Sequence, residues 1–195
     1  MIPECNDSLL RKFDPNQDYL WMWNPSKGKS GGILVAILLE RFDVGSFKQG
    51  GFMLKMNLWD KVLKIKWNLL TVYGAAQEEN KLSFLSELSH FCASSVLLKR
   101  KTPWMVYINT QTFFNSVIQF YELRELYMNG GLYTWSNNQE NPILEKLDRI
   151  LVTREWEDLF PQAMVNKLPR EVSDHNPLII SSGKKSVYSF YSIQV

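Results

Sequence analysis

A layered α/β sandwich is the fold class this sequence predicts, and three observations carry it. Apolar runs of strand length outnumber runs with helical spacing. The helical runs fall between groups of strands, and turn residues punctuate the C-terminal third at short intervals. Elements that each bury one apolar face must pack against one another, and this mixture packs in layers.

Taken in order, residues 32–39 (GILVAILL) form a near-continuous apolar run, short enough for a buried strand. Residues 62–73 (VLKIKWNLLTVY) alternate, with Leu63, Ile65, Trp67 and Leu69 on one face and Lys64, Lys66 and Asn68 on the other. A helix is predicted over 78–97, where Leu82, Leu85, Leu88 and Phe91 recur on one side. Residues 104–108 suit a short strand, and 112–126 carry Phe113, Val117, Phe120 and Leu123 at helical spacing. Short strands are then expected at 132–135, 147–152, 164–168 and 178–181. Asn129-Gly130-Gly131, Asn137-Asn138 and Asn141-Pro142 supply the turns. No internal repeat, low-complexity tract or linker interrupts the pattern, which predicts one domain over residues 1–195, with 182–195 as a tail.

Composition narrows the class without naming a partner. The 195 residues are 45% hydrophobic and 22% charged, as expected of a chain that buries a core rather than staying disordered. A net charge of +2 and a pI near 8.4 fall well short of the basic excess of many nucleic-acid binders. Cys5 and Cys92 lie far apart and in no metal-ligand spacing, which argues against a disulfide framework or zinc site. The longest apolar run, 33–39, is too short to span a bilayer, and the N-terminus lacks a charged segment followed by an apolar one. The expectation is an intracellular chain, nuclear or cytoplasmic and not secreted, with no membrane and no obligate protein partner.

Chemistry-bearing residues begin near the C-terminal end. Ser173-Asp174-His175-Asn176-Pro177 sets an acid beside a histidine just ahead of an apolar strand. A loop at a strand end can bring both into one pocket, where a histidine with a carboxylate partner serves as acid, base or stabiliser of a phosphoryl group. A purely structural role for His175 stands beside that reading, and His90, next to Phe91 in the helix, reads as structural. Asp148 falls in an otherwise apolar strand, where an unpaired carboxylate would be costly. Either a histidine across the sheet partners it, or the strand lies at an edge and Asp148 faces water.

Together these residues resemble the endonuclease/exonuclease/phosphatase family. Val72-Tyr73-Gly74, Lys146-Leu147-Asp148-Arg149 and Ser173-Asp174-His175 occur in that family's order. The flanking text is similar to the endonuclease domains of plant LINE-type retrotransposons. It comprises residues 30–35 (SGGILV), 72–88 (VYGAAQEENKLSFLSEL), 133–149 (YTWSNNQENPILEKLDR), Glu155-Trp156, Phe160-Pro161 and 168–177 (LPREVSDHNP). The resemblance covers roughly residues 10 to 181.

This resemblance implies a four-layer, deoxyribonuclease I-like sandwich of two β-sheets flanked by helices, with the active site at one end. It implies Mg²⁺-dependent phosphodiester hydrolysis with DNA as the ancestral substrate. Carried over position by position, His175 contacts the scissile phosphate, Asp148 orients its ring, Asp174 sits at or near the metal, and Tyr73 places its hydroxyl against the phosphate.

Departures from the family pattern qualify the activity. Where relatives read Pro-Trp-Leu-Val-x-Gly-Asp-Phe-Asn, this chain reads Pro103-Trp-Met-Val-Tyr-Ile-Asn-Thr-Gln111. Asn109 replaces the Asp that positions or activates water, Gln111 replaces the phosphate-binding Asn, and Ile108 replaces glycine. Losses of that kind cost orders of magnitude in rate. The family's leading strands, one carrying an Asn and one ending in the Glu that is its principal metal ligand, precede the alignable region. Glu4 lies too close to Gly31 to be that ligand. The copy is therefore expected to be degenerate, incomplete at the N-terminus, impaired in Mg²⁺ binding, and left with an exposed sheet edge. Two alternatives accompany impaired nuclease descent. One is a non-catalytic nucleic-acid-binding remnant using Lys64, Lys66, Lys99, Arg100 and Lys101; the other is a retroelement fragment with no selected function.

Overall fold

Strand β2 (Ile33–Leu38) takes up the apolar run predicted as a buried strand, and Ile33 through Ile37 are each at most 1% exposed. A strand apolar on both faces must be covered on both, and its two hydrogen-bonding edges must also find partners. β1 (Tyr19–Asn24) pairs antiparallel along one edge and β14 (Tyr191–Gln194) along the other. The sheet continues through β13 (Leu178–Ser181), β12 (Met164–Lys167) and β8 (Met128–Asn129), in the order β1-β2-β14-β13-β12-β8. These strands belong to a computed structural model that describes residues 10–11, 13–25, 32–75, 77–93, 103–109, 118–119, 121–170, 173–181 and 191–194.

A second six-stranded sheet faces the first. It is built from β3 (Phe42–Gln49), β4 (Met53–Asp60), β5 (Ile65–Tyr73), β6 (Trp104–Asn109), β11 (Asp148–Val152) and β7 (Arg124–Glu125), in that spatial order. β5 and β6 are parallel, and the other pairs in this sheet are antiparallel. A small hairpin, β9 (Trp135–Ser136) with β10 (Leu144–Glu145), stands beside both sheets.

One apolar core fills the space between the sheets. Ile33, Val35 and Ile37 of the first sheet meet Leu54, Met56, Leu58, Trp67 and Leu69 of the second. Trp67 is 1% exposed and packs edge-on against Phe42, Trp156 and Phe160. The last two belong to, or directly follow, the short helix α2 (Arg154–Leu159). Burying aromatic rings of this size contributes several kcal/mol each, at about 25 cal/mol per Å² removed from water. On the outer face of the second sheet, helix α1 (Lys81–Ala93) seats Phe84, Leu88 and Phe91 against Met53, Leu70, Val72, Val106 and Leu151. The result is the mixed sandwich of two sheets with helix packed outside that the sequence predicts.

Several local expectations are corrected. The alternating run at 62–73 begins with a turn, in which Lys64 has φ 57°, and the strand starts at Ile65. Asn68 does not share the exposure of Lys64 and Lys66: it is 1% exposed and accepts a hydrogen bond from the Asn57 side chain. The helix predicted over 78–97 is a 3₁₀ turn at Glu78–Asn80 followed by α1 to Ala93, and 94–97 lie outside the described residues. The helix predicted to 126 gives way to β7 at Arg124–Glu125, which pairs with Leu151 and Val152. The strand expected at 132–135 is confined to Trp135–Ser136. Residues 182–195 are not all tail, because 191–194 form β14 in the interior of a sheet. The exposed sheet edge expected from the sequence is assigned there to no strand; β2 itself has β1 along one edge and β14 along the other. Among the described residues no helix is long and apolar enough to cross a membrane.

Candidate active site

Strand register brings the chemistry-bearing residues to one end of the sandwich. Tyr73, Asn109 and Asp148 are successive partners across β5, β6 and β11. The Tyr73 N–H donates to the Phe52 carbonyl at 2.9 Å, so the β3–β4 turn lies at the same end. In the first sheet this end is marked by Asn24 and Gln194, both partners of Ile33. Hydrogen bonds join the two halves of the sandwich there: Asn24 Nδ2 donates to the Gly50 carbonyl at 3.0 Å, and His175 meets Asp148.

The second of these contacts is the chemical centre. His175 Nδ1 lies 2.9 Å from Asp148 Oδ2, with Asp148 1% and His175 9% exposed. An ionised carboxylate can only accept, so the imidazole donates through Nδ1–H and keeps Nε2 for another group. The water-exposed alternative for Asp148 is thereby excluded.

The segment Thr134–Trp135–Ser136 holds both partners in place. Thr134 is fully buried, and its hydroxyl oxygen accepts from the N–H of Leu147 at 3.1 Å and of Asp148 at 2.9 Å. Its carbonyl accepts from the Asn176 N–H at 2.8 Å, while the Ser136 N–H donates to the Asp174 carbonyl at 3.2 Å. Trp135 forms an isolated antiparallel bridge with His175, and its Nε1–H donates to Asp174 Oδ2 at 2.7 Å. Ser173 turns its hydroxyl to accept the His175 N–H at 3.1 Å.

Solved structures share this arrangement of sheets. An endonuclease/exonuclease/phosphatase from Bacteroides vulgatus superposes with TM-score 0.57 at 15% identity, over 95% of this chain and 78% of that one. A mannosyl-6-phosphatase from Bacteroides thetaiotaomicron gives 0.57 at 10% identity, over 98% and 83%. TDP2 from D. rerio, solved with a single-strand DNA product, gives 0.54 at 10% identity, over 98% and 83%. The fold is that of the endonuclease/exonuclease/phosphatase proteins. No family model matches the sequence, and no curated protein does either.

Within the endonuclease/exonuclease/phosphatase fold the remaining site residues fall as follows. Tyr73 ends β5 and is half-buried. Asn109 ends β6, its backbone between those of Tyr73 and Asp148. Gln111, Glu4 and Cys5 lie outside the described residues, as do Lys99, Arg100 and Lys101. Asp174 is exposed on the loop before β13. Apart from the Phe91 ring, His90 meets Lys48, Nε2 to Nζ 3.1 Å, at an exposed position on α1.

The donor set does not fit a dedicated divalent-cation site. Among the described residues no three His, Cys, Asp or Glu side chains gather where an ion could sit. Asp148 is buried and directed to His175, which leaves Asp174 as the exposed carboxylate, with Oδ2 already taken by the Trp135 indole. Magnesium is held by one or two protein carboxylates with water completing its shell, and among the described residues beside His175 the exposed carboxylate is Asp174.

Thr134, Trp135 and Ser136 are the positions whose part in the site sequence reasoning missed, although they lie inside the quoted run at 133–149. Their tie to His175 is a contact between segments far apart in the chain. The polar brace of Asn24, Gln49 and Glu87 at the same end was missed as well. Gln49 Nε2 donates to Asn24 Oδ1 at 3.2 Å, and the Glu87 carboxylate accepts the N–H groups of Gly51 and Phe52 at 2.8 and 3.0 Å.

Proposed function

We propose that this chain is a DNA-phosphodiester-recognising domain of retroelement endonuclease descent, in which hydrolysis is impaired. The single observation that carries the reading is the buried His175–Asp148 pair, set at one end of an endonuclease/exonuclease/phosphatase sandwich. In this reading Asp148 fixes the ring so that Nε2 meets a phosphate oxygen, Tyr73 adds its hydroxyl, and Asp174 flanks the phosphate. Asn109 and Gln111, where the plant LINE-type pattern has Asp and Asn, support impairment. That no three His, Cys, Asp or Glu side chains gather among the described residues supports it too, because water activation and metal binding both draw on negative charge.

The alternative reading, a remnant that binds nucleic acid through a basic face, draws less support from geometry. Lys64 and Lys66 are exposed at the start of β5, whereas Tyr73 ends it. Seven residues of strand separate Lys66 from Tyr73 by about 23 Å, so these lysines do not extend the His175 end.

The test is fluorescence anisotropy of a labelled DNA duplex, without added metal, for the unaltered chain and His175→Ala. Loss of one phosphate hydrogen bond should weaken binding roughly tenfold, since about 1.4 kcal/mol is a factor of ten. Equal binding by both proteins, each folded by circular dichroism, would remove His175 from the phosphate contact and sink the reading.

A further inference from the structure

β14 is the last of the described strands and yet an interior strand of its sheet. β2 takes four registered partners from it: Ile33 with Gln194, Leu34 with Ile193, Val35 with Ser192 and Ala36 with Tyr191. β13 takes a single registered partner, Leu178 with Ser192. The sheet is therefore held unequally, and the β2–β14 pairing is the larger contact, the one an exchange breaks and remakes. With β14 withdrawn, a full edge of β2 would stand unpaired, on a strand whose side chains are buried on both faces. Buried backbone N–H and C=O groups without partners are costly, and an open edge is a template for another strand. The register already identifies the strand that fits this edge, namely Tyr191–Gln194 antiparallel to β2, and every copy of the chain carries one.

We propose that the chain exchanges its C-terminal strand with a second copy of itself, giving a reciprocal strand-swapped dimer in which β14 of each molecule pairs with β2 of the other. Residues 182–190 join the two strands, and a connection of that length spans at most about 30 Å when extended, the scale of a small domain. The swapped form keeps every β2–β14 pair, so association entropy is the main cost. Within one molecule the tethered strand competes at a local concentration in the millimolar range, so monomer dominates when chains fold in dilute solution. Folding at high protein concentration shifts the balance to the swap. His175 and Asp148 take no part in the exchange, which is independent of the functional reading above.

The register supplies a direct test. In a Cys5→Ser, Cys92→Ser background, Leu34→Cys with Ile193→Cys sets two cysteines opposite each other across β2 and β14. The full chain is refolded from urea at low and at high concentration, oxidised and resolved on a non-reducing gel. The swap gives covalent monomer at low concentration and covalent dimer at high concentration, whereas covalent monomer under both conditions overturns it. Leu34 is a core position, so the unaltered chain is tested in parallel by refolding a mixture of light and isotopically heavy protein for native mass spectrometry. Light–heavy dimers that form only at high concentration and survive dilution support the exchange. Monomer alone, or dimer that falls apart at once on dilution, overturns it.

Discussion

Asp148 of the second sheet and His175 of the loop leading into the first sheet meet at 2.9 Å, Nδ1 to Oδ2, in a buried hydrogen bond at the site end. The carboxylate is at the start of β11 and the imidazole on the loop before β13, 27 residues apart in sequence. Asp148→Ala leaves the ring nitrogen without its partner in a buried place. A stability loss of about 1–3 kcal/mol is expected by urea denaturation, with a smaller loss for Asp148→Asn, which keeps an acceptor. An unchanged urea midpoint for Asp148→Ala would show that the pair does not hold the sheets.

Trp135 separates positioning from stability. Its indole N–H donates to Asp174 Oδ2 at 2.7 Å at an exposed site, so Trp135→Phe keeps a smaller aromatic ring and removes the donor. A stability change of about 0.5–1.5 kcal/mol or less is expected. The Asp174 side-chain resonance in a carboxylate-detected NMR spectrum should shift, while the Asp148 resonance stays. Equal movement of both signals would mean that the Trp135 contact is part of general packing.

Gly50 is required by the Glu87 brace. A Cβ at this position would stand 2.0 Å from Glu87 Oε1, which is impossible without moving the carboxylate that accepts the Gly51 and Phe52 N–H groups. Gly50→Ala and Glu87→Ala should each cost about 1–3 kcal/mol, and the double variant should cost little more than either. Additive losses would show that Gly50 and Glu87 act separately.

Arg41 and Asp60 form the buried ion pair of the second sheet. Arg41 donates to Asp60 Oδ2 from Nε at 3.0 Å and from Nη2 at 2.6 Å, while Asp60 Oδ1 accepts the N–H groups of Val62 and Leu63. Asp60 is fully buried and Arg41 is 4% exposed. Asp60→Ala therefore removes the carboxylate that two buried guanidinium N–H groups and the turn N–H groups share, with an expected loss of about 3–5 kcal/mol in urea. A loss below about 1 kcal/mol would mean that water reaches Arg41 and screens it.

The strands legible in the sequence are those whose apolar content is dense or ends cleanly, such as β2, β13 and the end of β5 at Tyr73. β3 and β4 were passed over because their patterns are mixed. In β4, Lys55 is 9% exposed among apolar neighbours, and in β3 the solvent face carries Asp43, Ser46 and Lys48 with an irregularity between Val44 and Phe47. β14 was passed over because four residues in an apparent tail become a strand only when β2 offers an edge, which is a tertiary effect. In the site, Asp148 was legible as a carboxylate in need of a partner, since burial of an unpaired charge is prohibitive. The Thr134–Ser136 clamp was not, because backbone hydrogen bonds between distant segments leave no trace in residue type.

The central claim, a retained His175–Asp148 pair in a site impaired for hydrolysis, is met most directly by nicking of supercoiled plasmid with and without Mg²⁺, beside His175→Ala. No Mg²⁺-dependent nicking by the folded chain above the level of the variant is expected. Mg²⁺-dependent nicking that disappears in His175→Ala would contradict it, and would require a carboxylate beyond Asp174 to complete the site.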